Sequence, residues 1–170
     1  MQDKIIIKAE RERDNEYPIQ SPHHCGGFVT WFVLRYFLKI SQSPREITSR
    51  IPWRIPFSGT LPCGIVSFLK RNRLSVAEKY YRDSSDEMKI DAVSAWLGAG
   101  QLVIILGKQR GQQHYVVVVQ QFGQNEFSIY DPLVGYSQWT ESDLLRFWSG
   151  GGVMGFYTSY VIIVGQVGGL

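Results

Sequence analysis

From Phe28 to Leu38 nine of eleven residues are apolar or aromatic, and only Thr30 and Arg35 interrupt them. Read as a helix over Cys25–Lys39, this stretch is greasy around nearly its whole circumference. A helix of that kind cannot lie on a surface, so other elements must enclose it. It falls well short of the ~20 residues that a membrane span requires, which makes it a core helix.

The remaining patterns show what could enclose it. Ser43 or Ser41, followed by Pro44, opens a short helix through about Arg50. Thr60 reads as an N-cap with Pro62 in the first turn of a helix continuing over Gly64–Asn72. Ser84 or Ser85 caps a further helix, Asp86–Leu97, which stops at Gly98 and Gly100. Lys4–Lys8 suits a short strand or an arm, and "LSVAEKYY" has strand character. Beyond residue 100 the character changes. "QLVIILG", "HYVVVVQQ", "FSIYDP" and "FYTSYVIIVG" are β-branched or aromatic runs between turn residues. A short helix, Glu141–Trp148, follows Thr140. Helices first and antiparallel strands second place the chain in the α+β class. There are no internal repeats, and no linker rich in Ser, Gly or Pro divides the 170 residues.

Composition removes several function classes. With 44% hydrophobic and 19% charged residues the chain is folded rather than disordered. The net charge is +3 and the basic residues are scattered, which argues against a nucleic-acid partner. Two cysteines are too few for a disulfide framework, and the three-isoleucine run near the start is too short for a signal-peptide core. These features point to a cytoplasmic protein without direct membrane insertion.

Directly before the buried helix stands "QSPHHCGGFVTW", residues 20–31. Pro22 disfavours helix for the residue before it, and Cys25 falls where the helix begins. The free N–H groups and positive dipole end there stabilise a thiolate, lowering a thiol pKa that is ordinarily ~8.5. Gly26 and Gly27 cost ~1 kcal/mol each relative to Ala in a helix, so something is expected to approach the backbone closely there. The pattern suits an exposed nucleophile, although a cysteine taken alone is more often a buried structural residue.

A nucleophile needs a base, and the base needs a third group to hold it. Apart from the pair beside Cys25, the chain's histidine is His114, opening "HYVVVV", and Asp131 closes the next strand. A hairpin folding about Phe122–Gly123 sets the two side chains directly opposite each other, Cβ atoms ~5 Å apart. A two-residue slip of register keeps them on one face, whereas a one-residue slip separates them.

Gln20 with "CGG" before a buried helix ending "LRYF", the middle segment "GTLPCGIVSFLKRN", and the late "HYVVVV" and "YDPLVG" together resemble the papain-like bacteriocin-processing peptidases. The resemblance covers roughly residues 17–165. Members of that family cleave leader peptides after a double glycine and usually sit at the N-terminus of peptide-exporting ABC transporters. It implies a papain-like fold, with residues 1–170 as one peptidase domain. It also implies Cys25 as nucleophile, His114 as general base and acid, and Asp131 as orienting carboxylate. Gln20 would donate its side-chain amide to the oxyanion hole beside the Cys25 N–H. The substrate would be a peptide with small residues at the cut, the partner a peptide exporter, and no cofactor is implied. The chain departs from the family pattern at His23 and His24, at Gly27, and in that no transporter follows.

Competing readings attach to the same residues. Cys63 also falls in a first helical turn but has no histidine strand to serve it, so it is read as a packing residue. His23 and His24 are read as solvated loop residues. With Cys25 and Cys63 they supply zinc-type ligands, at spacings that match no common zinc pattern. Trp139 and Trp148 are read as core or cleft wall, Asp131 before Pro132 also suits a turn, and the terminal "VGGL" reads as a frayed end. Two rival functions keep the same constellation: a papain-fold acyltransferase, and a catalytically silent peptide-binding domain associated with peptide export.

Overall fold

The computed structural model describes residues 24–55, 59–123, 125–150 and 157–168. Its helices are α1 (Cys25–Leu38), α2 (Pro44–Arg50), α3 (Pro62–Arg71), α4 (Asp86–Gly98) and α5 (Glu141–Ser149). Its strands are β1 (Arg54–Ile55), β2 (Gly59–Thr60), β3 (Leu74–Tyr80), β4 (Leu102–Gln109), β5 (Gln112–Phe122), β6 (Glu126–Asp131), β7 (Gly135–Thr140) and β8 (Tyr160–Gln166). The expected arm over Lys4–Lys8 lies outside the described residues, as do Gln20, His23 and the last two residues of the tail.

The α+β class holds. Strands β3-β8-β4-β5-β6-β7 form one sheet whose pairings are all antiparallel, and β1 and β2 form a separate small hairpin. Side chains on one face of the sheet, among them Ile104, Leu106, Tyr115, Val117 and Ile162, pack with Val29, Phe32 and Val33 of α1. Those on the other face, Val103, Ile105, Val116, Val118 and Ile129, pack with Val93 of α4 and with Leu144, Phe147 and Trp148 of α5. The sheet is therefore a middle layer. Helix α1 is enclosed by the sheet on one side and by α2, α3 and β2 on others.

This enclosure explains why α1 tolerates two glycines. Phe28, Val29, Trp31, Phe32, Val33 and Leu34 are all buried, each worth ~1.5–3 kcal/mol. That outweighs the ~1 kcal/mol of helix propensity lost per glycine. Among the described residues no helix is long and apolar enough to cross a membrane.

Local chemistry sets the element ends. The Ser43 and Thr140 hydroxyls accept from the Glu46 and Asp143 N–H groups, and each acidic side chain reaches back to its cap, completing a capping box. Ser85, rather than Ser84, caps α4 by accepting from Met88 N–H. Helix α1 stops at Leu38, one residue early, because Lys39 turns into the left-handed region with φ 53°.

Thr60 is not the cap of α3. Leu61 holds that position without a side-chain bond, and Pro62 is the first helical residue. Thr60 instead pairs with Arg54 in the β1–β2 hairpin. Neither this hairpin nor strand β7 is among the expected strands. The alternation of β7 is blurred because it is an edge strand with mostly half-buried residues.

Candidate active site

Cys25 is the first residue of α1, and His24 occupies the N-cap position with no side-chain cap bond. The first intrahelical bond runs from Phe28 N–H to His24 C=O at 3.1 Å. The N–H groups of Cys25, Gly26 and Gly27 come before it, at the positive end of the helix. Cys25 is only 8% exposed, so the expected exposed cysteine is in fact a buried one that joins the apolar cluster around α1.

The glycine pair has a different cause from the one the sequence suggests. A Cβ on Gly26 would stand 2.7 Å from Thr60 Cβ, and one on Gly27 would stand 2.6 Å from Thr48 Cβ. Protein side chains from β2 and α2 occupy the approach. Thr48 cannot easily move away, since its buried hydroxyl donates to Pro44 C=O at 2.6 Å. The first turn of α1 is thus wedged between two threonines, and Thr30 Oγ1 donating to Gly26 C=O at 2.7 Å fixes it further.

His114 enters from β5, opposite Gly107 of β4. The glycine is needed there, because a Cβ would run into the Phe147 ring of α5. That ring stands edge-on to the imidazole at 6.3 Å between centroids. His114 is 3% exposed, and its Nε2 lies 2.7 Å from Oδ1 of Asp131, which is fully buried. The Cys25 side chain lies near enough to His114 to favour its protonated form. With Nε2 on Asp131, Nδ1 is the ring nitrogen left for the thiol.

Burial alone would push the imidazole pKa down. The hydrogen bond to Asp131, the neighbouring Cys25 side chain and the charges of both outweigh burial and raise it to about 9. Asp131 shows the converse. Burial favours its neutral form, but the hydrogen bond and charge of His114, with Leu133 N–H and Gln109, hold it below the ordinary 3.8. Leu133 N–H donates to Oδ1 at 2.8 Å and Gln109 Nε2 to Oδ2 at 3.2 Å. Asp131 therefore forms the turn into β7 and holds the imidazole at the same time.

The hairpin register differs from the expected one. Near the turn Phe122 pairs with Glu126 and Gln120 with Ser128, but beyond an extra residue, Val119, the pairs are Val118 with Ile129 and Val117 with Tyr130. Continued by one residue, this sets Asp131 level with Val116, two residues along from His114. The slip from direct opposition is two residues, and the pair shares the face of Val116, Val118, Phe127 and Ile129. The bulge at Val119 decides this. Without it the register near the turn would place the two side chains on opposite faces.

Of the remaining sequence candidates, Gln20 and His23 lie outside the described residues. Cys63, expected to pack, is exposed on the first turn of α3. It still lies near the site, since burial and then the charges of Cys25, Tyr157 and Cys63 raise the Tyr115 phenol pKa. Among the described residues no group of three His, Cys, Asp or Glu side chains could hold a metal ion. Trp148 is fully buried and Trp139 packs on its cluster, as a core or wall role requires.

Sequence reasoning missed Gln109. The signal was available in "KQRGQQH": a two-residue turn at Arg110–Gly111 makes Gln109 and Gln112 neighbours and puts both on the His114 face.

Known proteins share this fold. The model of the Peptidase C39 family matches residues 20–156. The chain is similar in fold to the peptidase domain of Streptococcus ComA, a bifunctional ABC transporter involved in a quorum-sensing pathway. That match has 20% identity and a TM-score of 0.59, over 88% of this chain and 96% of that one. It is similar also to a double-glycine-motif protease from an AMS/PCAT transporter, in complex with the leader peptide. There the identity is 14% and the TM-score 0.62, over 88% of both chains. A third likeness is to the N-terminal peptidase C39-like domain of a toxin secretion ATP-binding protein from Vibrio parahaemolyticus. Identity is 14% and the TM-score 0.54, over 87% of this chain and 99% of that one. No curated protein matches the chain significantly. The papain-like α+β fold and the match over most of its length establish that this chain belongs to the Peptidase C39 family.

Proposed function

We propose that the protein is a cysteine peptidase that hydrolyses a peptide bond through a thioester, with Cys25, His114 and Asp131 as its triad. The observation that carries the reading is the buried Asp131–His114 hydrogen bond at 2.7 Å with the Cys25 side chain beside the imidazole. That side chain stands at the first residue of a buried helix. Family membership supports the reaction class.

In this mechanism the Cys25 thiol passes its proton to Nδ1 of His114, and the sulfur attacks the scissile carbonyl carbon. The oxyanion that forms is held by Cys25 N–H at the helix start and by the Gln20 side-chain amide. As the tetrahedral intermediate collapses, the C–N bond breaks and His114 gives its proton to the leaving amine. Water then enters and His114 takes its proton while the hydroxide oxygen attacks the thioester. Collapse releases the acid, and the proton returns to sulfur. Asp131 fixes the ring and stabilises its charged form throughout.

The low exposure of Cys25 suits small residues at the cut, and the double-glycine protease likeness points the same way. The substrate class is therefore a peptide cut after residues such as Gly-Gly. A peptide-exporting ABC transporter is the proposed partner, and the cytoplasm the proposed location.

The test is incubation with Gly-Gly-containing leader-type peptides, followed by mass spectrometry. Cleavage after the second glycine that is lost in Cys25→Ala is expected. Transfer of the acyl group to an added amine without hydrolysis would mark an acyltransferase instead. Binding without any turnover would mark a silent peptide-binding domain.

A further inference from the structure

Asp131 takes three bonds, and they are unequal in what they can do. Two fall on Oδ1: His114 Nε2 at 2.7 Å and Leu133 N–H at 2.8 Å. The Leu133 bond comes from the carboxylate's own turn and moves with it. Both bonds oppose rotation about Cβ–Cγ, but both pull on one oxygen and leave Oδ2 to be held from elsewhere. The bond on Oδ2, from Gln109 Nε2 at 3.2 Å, comes from β4, across β5.

Gln109 is itself well anchored. It closes the β4–β5 ladder against Gln112, next to a two-residue turn whose residues Arg110 and Gly111 have φ 50° and 81°. These are the angles of a rigid type I′ hairpin. Its other amide atom, Oε1, is buried and has no hydrogen-bond partner, so the Asp131 bond is what holds the side chain's polar end. A buried acceptor is left unpaired only at a cost, so the amide is oriented for its donor.

We infer that Gln109 is a positioning residue: its amide locks the Asp131 carboxylate in the rotation that presents Oδ1 to His114. The inference rests on the triad proposed above, and it adds a fourth group that acts through Asp131 without touching substrate. The titratable groups at the imidazole are Asp131 from β6 and Cys25 from α1, while α5 presents the Phe147 ring.

The test reads His114 rather than turnover. The ring of His114 is titrated by NMR in the parent protein, in Gln109→Met, which keeps length but removes the donor, and in Gln109→Asn, which is too short to reach. The fold of each is checked from its amide spectrum. With Oδ2 released the carboxylate is held less firmly against the imidazole, and the His114 pKa is expected to fall by about one unit in both variants. The alkaline limit of Cys25 alkylation should move with it, and cleavage should fall roughly 10-fold. A His114 titration superimposable on the parent's, or moved upward, in a folded variant overturns the inference.

The two readings fail differently. If the parent His114 titrates high and Gln109→Met lowers it while no peptide is cut, the peptidase reading falls and the role of Gln109 stands. If the parent titrates at the ordinary ~6.5, the ion pair is absent and the inference about Gln109 falls with it.

Discussion

His114 Nε2 and Asp131 Oδ1 stand 2.7 Å apart in a pocket that leaves 3% of the histidine and none of the aspartate exposed. A pair this buried survives only if each charge compensates the other, and here the carboxylate has two further donors to help it. The consequence is an imidazole that keeps its proton well above the ordinary range. Nearly everything testable about the site follows from that bond.

Replacing one partner should therefore cost more than a surface ion pair would. Asp131→Asn leaves a side-chain oxygen for Leu133 N–H but removes the charge that supports His114. A destabilisation of about 3–5 kcal/mol is expected in urea unfolding. The His114 pKa should fall toward or below its ordinary value, and cleavage should drop by roughly 10²–10⁴. An unchanged urea midpoint would show that the pair contributes nothing.

The pH dependence of stability has a definite shape. His114 is raised from 6.5 to about 9 on folding, so its contribution is complete below about pH 6.5 and is lost as pH rises through about 9. Asp131 is lowered from 3.8, so its contribution is complete above pH 3.8 and is lost as pH falls through the depressed value. The pair stabilises most between these limits. Between pH 6 and 9.5 the unfolding free energy should fall by roughly 1–3 kcal/mol. His114→Phe should remove that slope. A parent curve flat across this range would contradict the ion pair.

The glycines separate packing from propensity. Gly27→Ala pushes a methyl into Thr48 and should destabilise by about 1–3 kcal/mol, although alanine is the better helix former. Gly98→Ala, at the end of α4, meets nothing within 4 Å and should stabilise by about 0.5–1 kcal/mol. Thermal melts of the two variants check both signs. A neutral Gly27→Ala would mean that the threonine wedge yields.

Cys63 is exposed, so Cys63→Ser should change stability by less than about 0.5 kcal/mol. It should also remove the more accessible of the two alkylation targets. In that background iodoacetamide reports on Cys25 alone, and its profile from pH 4 to 9 should change in His114→Phe. A profile that ignores His114 would argue against the thiol–imidazole bond.

Much of this was legible in the residues themselves. Nine apolar side chains in eleven positions permit nothing but a buried helix. β-branched and aromatic runs with turn residues between them dictate antiparallel strands. Cys25 at a helix start, with His114 and Asp131 on neighbouring strands, is written in spacing. Those signals are local, because each depends on the composition of a short run, on a turn residue or on a cap.

The tertiary structure decided what depends on residues far apart in the chain. Gly26 and Gly27 are set by threonines on β2 and α2, and Cys63 is exposed because of the face that α3 turns outward. The clearest case is Val119. Nothing in "YVVVVQQ" marks one valine as an extra residue, since each is equally suited to a strand. Only pairing against β6 pushes it out of register, and that one-residue bulge returns His114 and Asp131 to a common face. Local spacing picks out the side chains that the proposed chemistry needs. Whether they met was settled by a register that long-range hydrogen bonding alone could fix.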